Sequence, residues 1–567
     1  MTGKQHLKTA YLVIIFTVIL FNLANIIIPV FLIGDDGSFY RHVEQIYFTD
    51  FKSFNPATFL SFSFVGDYIL FFLFSSMEQF SVYFARSVFL GFMVIVSLLF
   101  FRLLHLRLGL SRITSLGAAI IPNILAYNFL MPGYIIGSYI IHTLMFFLLT
   151  LEYIFKYLDS DSPPSNKKTL YLILVILLSL VFTMSSSQAL FFYPFIFLLI
   201  AVYKAHKNKK LFLFILIAIQ FLFKFIWMLT HPRKLQLNPG LSEILDRIHL
   251  YFQWGLPFPY FPSELLITLF FLVFLVAVYF IYIRGLNPAL QLNPRFIFQS
   301  DKKYTFFLLI FLAGWMLSTV FANMFLRKVG WQFRFCYASF FAFLTIFIFS
   351  LDTLILRLKR FRLDIIVLAI LILSTGIYKL ILTSEHFKPL NSSIELISTS
   401  LREINLPANS QLIITGQIKG PSNVFRKNTG VLQYLLSRRD ITGQIANDRR
   451  KFYGFTRHFQ PFEWRLYLKG RYMTGYSLDK PLFILKRKSG KMRQQSYVLE
   501  WLGNSKRSPW IIYKLHEKTG KIRPFLKGRG LDDYLLKVKN LSSQGIHQDD
   551  IVFGESYCVK DLRRLRD

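Results

Sequence analysis

The chain has 567 residues, 54% of them apolar and 17% charged, with a mean hydropathy of +0.45 and a formal net charge of +34. With 64 phenylalanines against 31 acidic residues it has too little polar surface for a disordered chain or an ordinary water-soluble globule. Its two cysteines, Cys336 and Cys558, exclude a disulfide-rich secreted scaffold and a cysteine-built zinc or iron–sulfur site. The basic excess suits nucleic acid, anionic lipid or a phosphorylated substrate, so the position of the charges has to decide.

About eleven stretches reach the roughly 20 mostly apolar residues that a transmembrane helix needs. The first, 10–33, is too long for a signal-peptide core and lacks a small-residue cleavage pattern, so it reads as a retained signal anchor. Directly after it comes Gly34-Asp35-Asp36-Gly37-Ser38-Phe39-Tyr40-Arg41. Two adjacent carboxylates at a membrane boundary repel each other and sit near low dielectric, which raises at least one pKa and suits a proton acceptor. Local chemistry equally allows Asp35 and Asp36 to cap a short interfacial helix. A second apolar stretch, 57–74, opens at Asn55-Pro56, contains Asp67 and precedes Glu78. Counting it as a span would invert every later loop, so it reads as interfacial or re-entrant.

The remaining spans fall near 82–101, 113–130, 135–155, 169–186, 188–203, 211–229, 264–283, 304–323, 336–356 and 363–382. With the N-terminus inside, the cytoplasmic loops are 102–112, 156–168, 204–210, 284–303 and 357–362, every one of them basic. Two loops on the other side break the asymmetry. One, 230–264, carries His231, Arg233, Lys234, Arg247 and His249; the other, 325–335, packs Arg327, Lys328, Trp331, Gln332 and Arg334 into a short turn. These cations suit a phosphate headgroup, or else anionic lipid at the interface. Within the spans, Arg86 is placed to pair with Asp67, Glu78 or the acidic pair, and Lys224 to face a phosphate; each is equally placed to snorkel. His142 reads as a hydrogen-bonded helix contact, and Glu152 with Lys156 as an i,i+4 pair.

Residues 383–567 hold 34 basic and 16 acidic residues, a net +18, and their apolar runs are short. Helical periodicity over 391–404 is followed by strand-like runs at 411–415, 482–485, 497–501, 510–515 and 550–553. This predicts a mixed α/β domain without a phosphate loop, zinc spacing or nucleophile elbow. Its charge and aromatics (Trp464, Tyr467, Tyr472, Trp501, Trp510) suit sugar or anionic-polymer binding, or simply a basic surface over an aromatic core. No nucleic-acid motif is present, and no nucleic-acid partner is expected.

The order of one span, an acidic pair, an amphipathic segment, an interfacial segment and a returning span with Arg86 resembles the GT-C superfamily of polytopic glycosyltransferases. That superfamily includes protein O-mannosyltransferases, the aminoarabinose transferase acting on lipid A, and mycobacterial arabinosyltransferases. The resemblance covers 1–380 in layout and only about 34–44 in actual residues. It implies a polytopic α-helical membrane protein of about eleven transmembrane helices, with a GT-C-like catalytic domain over 1–382. Residues 34–81 would form its first extracytoplasmic loop, and 383–567 a soluble extracytoplasmic α/β domain.

The resemblance further implies transfer of a sugar from a polyprenyl-phosphate donor to a glycan, lipid or protein acceptor. Asp35 would serve as base and Asp36 as its orienting or metal-binding neighbour. Such a leaving group needs cations, and Arg334, Arg327, Lys328, Arg233, Lys234, Arg86 and Lys224 are the residues placed to supply them. Members of the superfamily differ in using a divalent cation, so a metal cofactor stays open. A glycan polymerase or ligase of another membrane fold, and a transporter or flippase of lipid-linked glycans, are the alternatives. Without a targeting or retention signal, a bacterial inner membrane is the expected location.

Overall fold

The computed structural model describes residues 3–28, 82–125, 139–160, 166–185, 187–230, 241–255, 300–324, 333–357, 363–416, 440–445, 480–488, 491–502 and 506–547. Parts of 265–298, 432–438 and 550–553 are described as well. Two compact units result, one ending at Glu385 and the other beginning at His386.

The first unit is helical: α1 Gly3–Ile27, α2 Val82–Arg102, α3 Arg112–Ile124, α4 Tyr139–Asp159, α5 Asn166–Ser185, α6 Tyr193–Val202, α7 Lys207–Thr230, α8 Leu241–Gly255, α9 Asp301–Met324, α10 Phe333–Arg357 and α11 Leu363–Glu403. Seven of these helices are long and apolar enough to cross a membrane, namely α1, α2, α4, α5, α9, α10 and α11. The expected span at 188–203 is a 3₁₀ turn, Ser187–Phe192, running into the ten-residue α6 with Pro194 in its first turn. The expected span at 113–130 is the 13-residue α3, capped by Ser111, whose side chain accepts from the Thr114 amide.

Lipid offers no hydrophobic drive between helices, so packing detail holds them together. Trp315 of α9 is buried among Phe100, Phe147, Phe192 and Phe311, with edge-to-face geometry at 5.3 Å to Phe147. Its indole nitrogen donates to the Ala338 carbonyl at 3.1 Å. Gly376 lets α11 approach α1 closely, since a Cβ there would strike the Phe21 ring.

One end of this unit gathers the loops expected on the cytoplasmic side. Arg112 donates to the His6 carbonyl at 2.6 Å, and Asn293 to that of Arg107 at 2.6 Å. The Lys204 amide donates to the Arg295 carbonyl, and the Lys209 amine to that of Ser160. Arg107 pairs with Asp159 at 2.8 Å and Arg102 with Glu152 at 2.6 Å. The expected Glu152–Lys156 pair forms at 3.6 Å inside this network. Arg295 and the Tyr203 hydroxyl also reach Asp159. Burial, together with that carboxylate, pushes the Tyr203 phenol up to about 12. Reporters inserted at 204–210 and at 284–303 are therefore expected to report the same side of the membrane; opposite readings would break the grouping.

The second unit begins within α11, which runs as one helix through the boundary expected at 383 and absorbs the helix expected at 391–404. Among the polar Glu395, Ser398, Thr399 and Ser400, the buried Ile394, Ile397 and Leu401 recur at helical spacing and keep an apolar stripe. Eight strands follow: β1 Gln411–Gly416, β2 Thr442–Ile445, β3 Leu482–Lys488, β4 Lys491–Gln494, β5 Tyr497–Trp501, β6 Pro509–Leu515, β7 Ile522–Arg529 and β8 Ile551–Phe553. One sheet has the order β2-β1-β3-β4, with β1 parallel to both β2 and β3; the other has the order β7-β6-β5-β8. Helix α12, Leu531–Ser542, lays Leu531, Tyr534, Val538 and Leu541 on Leu499, Trp510 and Ile512.

Arg438 donates to Asp440 at 2.5 and 3.0 Å, and the Asn409 amide adds a bond at 2.7 Å. The Arg438 bond holds the Asp440 carboxyl below its ordinary value. Its contribution is therefore present above the unfolded pKa, about 4, and is lost as pH falls through the folded one. Asp440→Asn should cost at most about 1 kcal/mol at neutral pH and flatten the acid limb of the unfolding curve, because the pair is partly exposed.

Candidate functional site

Asp35, Asp36, Asp67, Glu78, Arg233, Lys234, Arg327 and Lys328 lie outside the described residues. Arg334 falls on the first turn of α10, which begins at Phe333, rather than in the turn expected before it. The helix starts ahead of the most apolar window because backbone hydrogen bonding carries it past the hydrophobic edge.

The other two expected cations, Arg86 and Lys224, lie within the described residues. Arg86, near the start of α2, is fully buried, and its Nη1 donates to the Ile26 carbonyl at the end of α1 at 3.5 Å. Lys224 of α7 is 3% exposed, while neighbouring Leu222, Phe223, Phe225 and Ile226 are all exposed. Both side chains are thus buried rather than surface-exposed.

One turn along α1 from Ile26, Asn22 belongs to a polar cluster that the sequence alone does not reveal. Lys379 of α11 is fully buried. Its ammonium donates to the Asn22 side-chain oxygen of α1 and, at 3.0 Å, to the Asn123 carbonyl of α3. Asn22 donates to the Val18 carbonyl at 2.8 Å and to that of Asn123 at 3.3 Å. The Asn123 amide donates to Ser97 at 2.6 Å and accepts from the Tyr337 hydroxyl. Five helices, α1, α2, α3, α10 and α11, thus share one hydrogen-bonded junction. A lysine inside an apolar run was the available signal, since an ionisable residue in a span is rarely placed there for packing.

The opposite end of α3 is clamped as well. Asp352 of α10 accepts from the Thr114 hydroxyl at 2.6 Å and from the Ser111 hydroxyl. There the carboxylate meets the positive end of the helix dipole.

His142 of α4 does not make the hydrogen bonds expected of it. It is 1% exposed, and both ring nitrogens lack a partner among the described residues. The ring packs 4.9 Å from the centroids of both Phe89 and Phe92 of α2. Residues 230–264, expected as a loop, contain α8, whose buried face repeats every four residues at Arg247, Tyr251 and Gly255. Tyr251 stacks on Phe340 of α10 at 5.0 Å.

Chemically, the junction offers donors, amides and a cation, and no carboxylate belongs to it among the described residues. It is equipped to bind and orient an anion or a hydroxyl-rich group rather than to abstract a proton. No group of three His, Cys, Asp or Glu side chains that would hold a metal ion occurs among the described residues. The fold and its seven long apolar helices define a polytopic helical membrane protein carrying a small sheet-containing C-terminal region. No family model matches the sequence, and the search of curated proteins finds no match.

Proposed function

We propose that the protein is an integral-membrane glycosyltransferase that moves a sugar from a polyprenyl-phosphate donor to an envelope glycan, lipid or protein acceptor. The observation that carries this reading is the Asp35-Asp36 pair directly after the first span, in a chain of many spans. The burial of Arg86 and Lys224 within the bundle supports it, because a phosphate leaving group is stabilised by cations in a dry setting. In this reading Asp35 accepts the proton of the acceptor hydroxyl as that oxygen bonds to the anomeric carbon. The bond from that carbon to the phosphate oxygen breaks, and the electron pair leaves with the prenyl phosphate. Asp36 orients Asp35 or holds a divalent cation.

The test is sugar transfer from a prenyl-phosphate hexose or pentose by the full chain in proteoliposomes. Absence of transfer with every donor and acceptor class removes the proposal. The accompanying location is a bacterial inner membrane with the C-terminal region outside the cytoplasm. A reporter fused after Asp567 should be active only on the outer side, opposite to reporters at 204–210. Transport of lipid-linked glycans is the second reading, favoured by the buried charges Asp352 and Lys379 at opposite ends of α3. Translocation of a labelled lipid-linked glycan without transfer would select it.

A further inference from the structure

We infer that His142 is a substrate-contacting residue, whose imidazole hydrogen-bonds a hydroxyl of the sugar carried on the lipid donor. The inference deepens the glycosyl-transfer reading and rests on it for the identity of the ligand.

Three observations carry it. First, neither ring nitrogen has a hydrogen-bond partner among the described residues, although the residue is 1% exposed. A neutral imidazole has one donor and one acceptor, so two polar functions are left unanswered in an apolar bundle. Buried polar groups are almost always paired, and the exceptions call for a ligand, a water or a catalytic role. Second, the ring is held rather than loose: Phe89 and Phe92 flank it at 4.9 Å, one tilted and one edge-on. Both belong to α2, so the imidazole is fixed at the α2–α4 seam. Third, Arg86 precedes Phe89 by three residues, on the same face of α2, and is fully buried. His142 is the fourth residue of α4, and Arg86 the fifth of α2. An imidazole that both donates and accepts matches a hydroxyl, which does the same, and the Arg86 guanidinium, borne one helical turn before Phe89, matches the phosphate that carries the sugar. Phe rings beside the imidazole supply the apolar wall that a sugar's C–H face needs.

The alternative is an inert histidine in the core, and the two make opposite predictions. An inert, unpaired imidazole replaced by an aromatic hydrocarbon of similar size leaves stability unchanged or improved and changes nothing else. His142→Phe in the full chain, reconstituted in nanodiscs, should melt at the wild-type temperature or slightly above. Its affinity for a short-chain prenyl phosphate carrying a hexose should fall about tenfold, and its affinity for the same prenyl phosphate without sugar should not change. Equal affinity of wild type and variant for the hexose-bearing probe overturns the inference and leaves the glycosyl-transfer reading standing. A wild type that binds neither probe overturns both. Should His142→Phe fail to fold, imidazole ¹⁵N signals of the wild type decide. A shift of the His142 resonances on adding the hexose-bearing probe, but not the bare one, supports the contact; unmoved resonances overturn it.

Discussion

Asp35→Asn is expected to lower sugar transfer by about 10²–10⁴-fold while the protein inserts and folds normally, because that is the range over which a positioned base contributes. Asn keeps the size and one acceptor oxygen of Asp but has no charge and takes no proton. Asp36→Asn should also slow transfer, and the two losses should not add in full, because neighbouring groups acting on one proton operate as a unit. Initial rates from a prenyl-phosphate sugar in proteoliposomes measure this, with melting temperature as the control for folding. Wild-type rates from the double variant would leave Asp35 and Asp36 as helix caps and remove the enzyme assignment.

The junction itself should show the second large effect. Asn22→Leu leaves the buried Lys379 ammonium with only the Asn123 carbonyl. Stranding a buried charge in this way costs about 3–5 kcal/mol. Lys379→Met removes the charge together with the bonds. It leaves the Asn22 side-chain oxygen short of a donor, at about 1–3 kcal/mol, while the Asn123 carbonyl keeps the Asn22 amide; the relief of the buried charge counts against that loss. Asn22→Leu is therefore expected to be the more damaging single change. The double variant should recover part of the Asn22→Leu loss, because the residues are direct partners. Melting in detergent, read for all four corners of the cycle, gives the answer. If Lys379→Met proves the more damaging change and the double variant recovers nothing, the ammonium is not held chiefly by Asn22.

Much of the helical layout was legible because apolar length is a local property. The windows at 82–101, 169–186, 304–323 and 336–356 each fall on a helix within a few residues. The strands at 497–501, 510–515 and 482–485 were equally plain, since runs such as Trp510-Ile511-Ile512 are β-branched and aromatic. Strand β7, Ile522–Arg529, escaped notice. Its Arg523, Lys527 and Arg529 break any apolar alternation, and its pairing with β6 makes it a strand. Helix α8 was hidden in the same way: its polar residues look like a loop until Tyr251 is seen stacked on Phe340. Arg334 was legible as a residue but not as a helical one.

Sequence alone pointed to long apolar helices fit to cross a membrane, and located two adjacent carboxylates after the first apolar stretch. All of these depend on composition or on neighbours in the chain, and lipid makes that dependence strong by excluding unpaired backbone. Tertiary structure alone decided that Lys379, Asn22, Asn123 and Tyr337 meet, across separations of hundreds of residues, and that Arg86 and Lys224 turn inward. It also decided that His142 stands without a hydrogen-bond partner among the described residues. Such facts depend on which helices pack together, and hydrophobic length is silent on that. In lipid the choice of helix partner rests on close packing and on buried polar contacts, which exist only once the helices have met.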